Sequence, residues 1–273
     1  MEDICDCHFH VFGTANRYPL VPTAGYVPPL ASMQDHQALF GKLGVRRWVL
    51  VQPSCYGADN RCMMEALATL GPAGRAVVAV APNVTDEELQ RLHALGARGI
   101  RVNMVGGSTL SYSQLRDIAP RLKAMGWHAQ TFLPKGRLPE VADDLLATGL
   151  TIVFDHFGSP EPALGVEQPA MKALARMLES GRCWVKLSAP FRISAGGAPY
   201  ADMIPYARAL AKLRPDRLVW GTDWPYIHFI DKLPPDYDPL GYFTDALRDS
   251  APGPSQLPAM LSGNSRTLYG FDR

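Results

Sequence analysis

Three histidines and one aspartate in this chain are spaced as a reaction centre would need them. His8 and His10 stand two residues apart in DCHFHVFG. A strand places residues i and i+2 on one face, so the two imidazoles would point the same way. His156 closes the apolar run LTIVFDHF, and Asp223 lies in WGTDWP. A lone histidine in an apolar strand is more often a satisfied core residue than a catalyst. Four such groups at the ends of apolar segments point instead to a common site. Imidazoles beside a carboxylate can deprotonate water, polarise a carbonyl, or hold a divalent cation.

Other polar residues recur at comparable positions. Ser54 follows VRRWVLVQP, Arg101 and Asn103 share a face in ARGIRVN, and Gln130 lies in WHAQTF. Ser188 ends CWVKLS, with Arg192 just beyond. Guanidinium binds carboxylate as a bidentate fork, so Arg101 and Arg192 are expected to clamp a substrate carboxylate. The bland alternative is a pairing with a loop carboxylate such as Asp59 or Glu161. Tyr26, Ser54, Asn103 and Gln130 are expected as further substrate contacts, and His228 is a candidate for one. Structural roles are expected for the rest: Asp6 as a buried hydrogen-bonding partner, Lys186 paired with a buried carboxylate, and His128 below the rim. His36 and His93 fall in helices as surface or packing residues, and Asn264 reads as a cap or loop anchor. Cys5 and Cys7 should point away from His8 and His10 and pack as small hydrophobes rather than bind metal.

These residues need elements to carry them. Apolar, β-branched and aromatic runs occupy 3–12, 45–53, 76–84, 97–103, 127–132, 150–157, 183–189 and 217–225. Near-continuous runs of this kind fit strands buried on both faces, as in a parallel sheet. Helix-length stretches with apolar residues three and four apart lie between and after them, at 33–44, 62–71, 85–96, 112–126, 138–149, 167–181, 195–215 and 238–253, with one more at 255–271. The first six end in Gly, the expected helix-to-strand turn, and Thr85 with Glu88 reads as a capping box. Eight alternations, about 34 residues each, fit one α/β domain over 1–273, a distorted (β/α)8 TIM barrel. An open doubly wound sheet is less favoured, because neither a Gly-x-Gly-x-x-Gly nor a Walker A loop follows an early strand. A barrel builds its site at the strand C-termini, where the candidate residues fall.

Composition narrows the function class. Lys plus Arg is 27 and Asp plus Glu is 26, a net charge of +1, with 47% hydrophobic residues. That excludes a disordered chain and leaves no basic excess for nucleic acid. No apolar run of about 18 residues suggests a membrane span. The N-terminus MEDICDCHFHVFG lacks a basic start and apolar stretch, so no secretory leader is expected. Five cysteines without a disulfide spacing fit reduced thiols in the cytoplasm. The expected partner is a small-molecule substrate, with a homo-oligomer compatible.

DCHFHVFG, GIRVN, FDHFG, VKLSAPFR and WGTDWP, with GNSRTLYGF at the close, resemble the amidohydrolase superfamily. The likeness is to its amidohydrolase-2 group and, within that, to the 2-pyrone-4,6-dicarboxylate lactonase branch. It covers essentially the whole chain. The resemblance implies a distorted barrel and hydrolysis of a cyclic ester. Most superfamily members bind Zn or a related divalent ion through the first-strand histidines, a strand-4 Lys or Glu or a strand-5 His, and the last-strand Asp. Here those intermediate positions offer Arg101 and Gln130, and the lactonase branch is metal-independent, so no cofactor is expected. If a divalent metal is bound, His8, His10, His156 and Asp223 would be its ligands. Without one, Asp223, as the only strand-end carboxylate, is expected as general base, and His8, His10 and His156 as the oxyanion site. The branch carries basic residues where this chain has Ser159 and Gly106–Gly107. The resemblance therefore implies a small, carboxylated, sugar- or muconolactone-like lactone. The rival readings are a metal-dependent decarboxylase or hydratase, a lactone isomerase, and a non-catalytic binding protein.

Overall fold

The computed structural model describes residues 3–107, 109–248 and 254–271. Its strands are β1 (Ile4–Phe9), β2 (Val45–Val51), β3 (Gly74–Val78), β4 (Ala97–Asn103), β5 (His128–Phe132), β6 (Ile152–Phe154), β7 (Cys183–Ser188) and β8 (Leu218–Gly221). They pair in parallel in sequence order. The helices are α1 (Met33–Phe40), α2 (Arg61–Ala68), α3 (Asp86–Ala94), α4 (Tyr112–Ala124), α5 (Leu138–Ala147), α6 (Pro169–Glu179), α7 (Pro190–Ile193), α8 (Ile204–Leu213), α9 (Pro239–Arg248) and α10 (Asn264–Tyr269). The expected (β/α)8 barrel is the fold. Among the described residues no helix is long and apolar enough to cross a membrane.

The apolar runs are continuous because each strand buries two faces. Val49, Val51, Val77, Val153 and Val219 fill the barrel interior, while Leu50, Ala76, Val78, Ile152, Phe154 and Leu218 pack outward in the core that also holds the helices' apolar residues. Helix termini follow the sequence signals. Thr85 caps α3 by accepting from the Glu88 backbone, but the expected capping box is only half formed, because the Glu88 carboxylate pairs with Arg91. Gly96 supplies the turn into β4 at a φ of 110° that a side chain would resist. Several boundaries differ from expectation. β6 stops at Phe154 and β8 at Gly221, because His156, Phe157 and Asp223 take left-handed backbone and turn the chain into the barrel mouth. In 195–215 the helix proper starts only at Ile204, after Gly196, Gly197 and Pro199. The last segment passes through a π-turn at Ala259–Gly263 before α10. Asn264 anchors it, donating to the Pro215 and Leu218 carbonyls at 2.8 and 2.7 Å. Residues 249–253 of the eighth expected helix lie outside the described residues.

The barrel closes between β8 and β1. The Asp223 N–H donates to the His8 carbonyl at 2.7 Å and the His10 N–H to the Trp224 carbonyl at 2.8 Å. Asp6 reinforces this seam. Its Oδ1 accepts from the backbone of His8 and of Thr222, each at 3.0 Å. Its Oδ2 takes the Thr222 hydroxyl at 2.6 Å and lies 2.8 Å from His36 Nε2. His36 is thus a buried packing residue of α1, stacked on Phe9.

β1 is irregular at this point. Asp6 pairs with Trp48 and Phe9 with Leu50, so three steps on β1 match two on β2. The bulge breaks strict alternation. Cys5 and Cys7 join the interior cluster rather than pointing away from the histidines, which corrects the expectation from strand periodicity. All five cysteines are buried and free.

Asp6→Ala should destabilise the fold by about 3–5 kcal/mol, since it strands two buried backbone donors and leaves His36 without its partner. A urea titration checks this. A midpoint within error of the parent would show that the seam holds without the carboxylate.

Candidate active site

A cavity of about 260 Å³ opens where the strands end. His10, His156, Asp223, Arg101 and Arg192 line it, with Tyr26, Ser54, Asn103 and His228 at its sides. Val105, Phe132 and Ile227 give it an apolar wall.

Asp223 is at the centre. Its Oδ1 faces three imidazoles, with His8, His10 and His156 Nε2 at 3.5, 3.6 and 3.8 Å. Its Oδ2 accepts from Arg192 Nε at 2.5 Å. Burial pushes the Asp223 carboxyl up, but Arg192, His156 and His10 together hold it well below the usual carboxylate range. Each histidine is fixed through Nδ1: His8 lies 3.1 Å from Asp155 Oδ1, His10 2.7 Å from the Val51 carbonyl, and His156 2.9 Å from Ser188 Oγ. Burial lowers all three imidazoles, His156 to about 4.

His8 and Gln130 lie beneath the cavity, not on its wall. His8 is fully buried, with Nε2 facing Asp223. Gln130 is also fully buried, with its amide donating to Asp155 at 3.2 Å and its oxygen taking Lys186 Nζ at 2.6 Å. Both ends being occupied, Gln130 is a support and not a substrate contact. Lys186 pairs with a buried carboxylate as expected, 3.7 Å from Asp155. Burial lowers its ammonium to about 8.

Asp155 is the residue that strand reasoning missed. Alternation sets it opposite His156, yet the φ of 47° at His156 turns both side chains inward. Asp223 is therefore not the only carboxylate at the strand ends. Burial opposes ionisation of Asp155, and His8 and Lys186 outweigh it, so the group is held low. The DHFG stretch, with Gly two residues after His156, was the available signal of a tight turn.

The arginines divide. Arg192, on the short α7, is committed to Asp223 and the Ile227 carbonyl rather than to a loop carboxylate. Asp59 instead pairs with Arg61. Arg101 donates through Nη1 to the Gln52 carbonyl at 2.7 Å, with Asp155 4.0 Å from Nη2. Its Nε is buried without a hydrogen-bond partner among the described residues. Asn103 lines the cavity while its Oδ1 holds the loop beyond β4, accepting from Val105 and Gly106. His228 meets Tyr26 edge-on at the mouth.

The donor set fits a divalent cation. His8, His156 and Asp223 offer ligand atoms within 4.8 Å of one another, with His10 Nε2 alongside. Among the described residues His8 Nε2 is buried without a hydrogen-bond partner, and each ring is anchored at its far nitrogen as metal-binding histidines are.

The amidohydrolase family model matches residues 5–271. The chain belongs to the amidohydrolase family. Among curated relatives, a 2-pyrone-4,6-dicarboxylate hydrolase of Comamonas testosteroni is 36% identical, over 97% of this chain and 89% of that protein. A 4-sulfomuconolactone hydrolase of Hydrogenophaga intermedia is 32% identical, over 97% and 88%. A crystal structure of an Agrobacterium tumefaciens protein superposes with a TM-score of 0.88 at 26% identity, covering 99% of this chain and 96% of that one. The amidohydrolase barrel here thus matches a solved fold over nearly its whole length.

The buried histidines set a pH dependence. His156 titrates near 4 when folded and near its ordinary 6.5 when unfolded, so the unfolded chain binds more protons between those values. Its contribution is complete above pH 6.5 and is lost as pH falls toward 4; His8 acts in the same direction. The unfolding free energy should fall from pH 7 to pH 5, and by less in His156→Gln. Chemical denaturation at both pH values checks this; an equal fall in the variant would assign the slope to other groups.

Proposed function

We propose that this chain hydrolyses a lactone of a small, carboxylated, muconolactone-like acid. Family membership and the lactone-hydrolysing relatives make it a lactonase-type hydrolase. The observation that carries the mechanism is Asp223, one oxygen turned to three imidazoles and the other held by Arg192.

Water beside Asp223 Oδ1 attacks the lactone carbonyl carbon, and Asp223 takes its proton. The imidazoles stabilise the oxyanion. The ring C–O bond then breaks, and the proton passes from Asp223 to the ring oxygen, giving the hydroxy acid. A carboxylate this strongly stabilised is a weak base. Water positioning and carbonyl polarisation must therefore supply much of the acceleration. A divalent cation held by His8, His10, His156 and Asp223 would supply Lewis-acid polarisation when bound. We assign the steps above to the chain's own groups, metal-free.

Arg101 supports a single carboxylate subsite. It has donors to spare, beside the polar side chains of Tyr26, Ser54 and Asn103. The wall of Val105, Phe132 and Ile227 offers no side-chain hydrogen bonds, so a polyhydroxylated sugar lactone would leave hydroxyls unpaired. An unsaturated acid fits that wall better.

Metal-stripped protein should release acid from carboxylated lactones, and Asp223→Asn should lower kcat by about 10²–10⁴-fold. CO₂ from a carboxylated acid with no lactone opened would mark a decarboxylase, and ester migration without acid release an isomerase. Activity lost on chelation and restored by Zn²⁺ would make the cation essential.

The two arginines should separate kinetically. Arg101→Met should cost about 1.5–3 kcal/mol on an acidic lactone, or roughly tenfold to a few hundredfold in kcat/KM, and much less on its neutral ester. Arg192→Met should lower kcat on both alike, because it acts through Asp223. Equal losses on both substrates for Arg101→Met would remove the carboxylate subsite.

A further inference from the structure

Two of the three histidines face the cavity, and they keep different kinds of partner at Nδ1. His10 Nδ1 lies against the Val51 carbonyl oxygen at 2.7 Å. A carbonyl only accepts, so His10 carries its proton on Nδ1 and turns a bare lone pair into the cavity at Nε2. His156 Nδ1 lies 2.9 Å from the Ser188 hydroxyl. A hydroxyl can donate, which leaves His156 able to carry its proton on Nε2. An acceptor on that side favours this form, since Asp223 Oδ1 lies 3.8 Å from His156 Nε2. A neutral imidazole carries its proton on only one of the two nitrogens, so the partner at Nδ1 decides what Nε2 offers to the cavity. His8 does not line the cavity, and its Nδ1 faces the Asp155 carboxylate.

We propose that His156 is the N–H donor to the lactone carbonyl oxygen, that His10 is an acceptor for the attacking water, and that Ser188 is the positioning residue that sets the His156 tautomer. The inference rests on the hydrolytic reading above and divides the role that reading gave to three histidines together. His10 Nε2 and Asp223 Oδ1 are 3.6 Å apart, close enough for one water to donate an O–H to each. Its lone pair is then free to attack the carbonyl carbon. The O–H on Asp223 is the one that breaks, and the His10 hydrogen bond only orients. His156 gives no proton away; its N–H strengthens its bond to the oxygen as charge develops there.

Long-range ¹H–¹⁵N spectra of metal-stripped, ¹⁵N-histidine-labelled protein near pH 7 read the tautomers directly, with His10→Asn and His156→Gln giving the assignments. His156 should be protonated on Nε2 and His10 on Nδ1. Ser188→Ala should lower kcat about tenfold with KM nearly unchanged, and Ser188→Thr, which keeps the hydroxyl, should recover it. His156→Gln keeps an N–H near Nε2 and should retain about ten times the kcat of His156→Leu. His156 protonated on Nδ1, His10 protonated on Nε2, or equal losses in the Gln and Leu variants would each overturn the division. Wrong tautomers in a protein that still opens lactones would overturn this inference alone. No acid release from any lactone would overturn the hydrolytic reading, and this inference with it.

Discussion

One buried carboxylate fixes the frame on which the site is built. Asp6 accepts from the backbone of β1 and from the backbone and hydroxyl of Thr222, and it meets His36 of α1. Neither strand can slip past the other without stranding buried donors. Locked side by side, β1 presents His8 and His10 to Asp223 of the opposite chain end. Gly221 allows the contact to be this close, because a Cβ there would sit 2.8 Å from the backbone and Cβ of His8.

Charge is arranged around that frame in two tiers. Below the cavity, Asp155 lies beside Lys186, His8 and Gln130. At its floor, Asp223 is held by Arg192. Three cationic side chains, Lys186, Arg101 and Arg192, thus stand near two carboxylates. With the carboxylates matched in this way, burial can keep the imidazoles neutral despite the acidic groups beside them. Neutral imidazoles are what hydrogen-bond catalysis and metal binding both require.

Much of this was legible in the sequence, and the remainder has physical reasons. Strand and helix periods, and the glycines between them, were enough for the barrel. His10, His156, Asp223 and Arg101 reach the cavity because strand ends in a barrel converge on one mouth. Periodicity failed where the backbone leaves the regular strand. The β1 bulge turned Cys7 inward, and the left-handed turn at His156 brought in Asp155. Arg192 was readable as a site residue but not as the partner of Asp223, since α7 is four residues long and its pose depends on the loops around it. Gln130 faces the barrel axis as alternation requires, yet one layer too deep to touch a substrate.

The seam also has a consequence for how the protein is made. Asp6 and Thr222 are 216 residues apart, so the ring closes only when nearly the whole chain is present. A ribosome supplies the histidine pair at the start and its carboxylate near the end. Until then β1 has no strand on one side, and its buried polar groups lack their partners. Local βα units can form as they emerge, but the loop closure that joins β8 to β1 spans most of the chain and must wait. The site is therefore completed last: a nascent chain without β8 holds His8, His10 and His156 and most of the cavity wall, yet lacks Asp223.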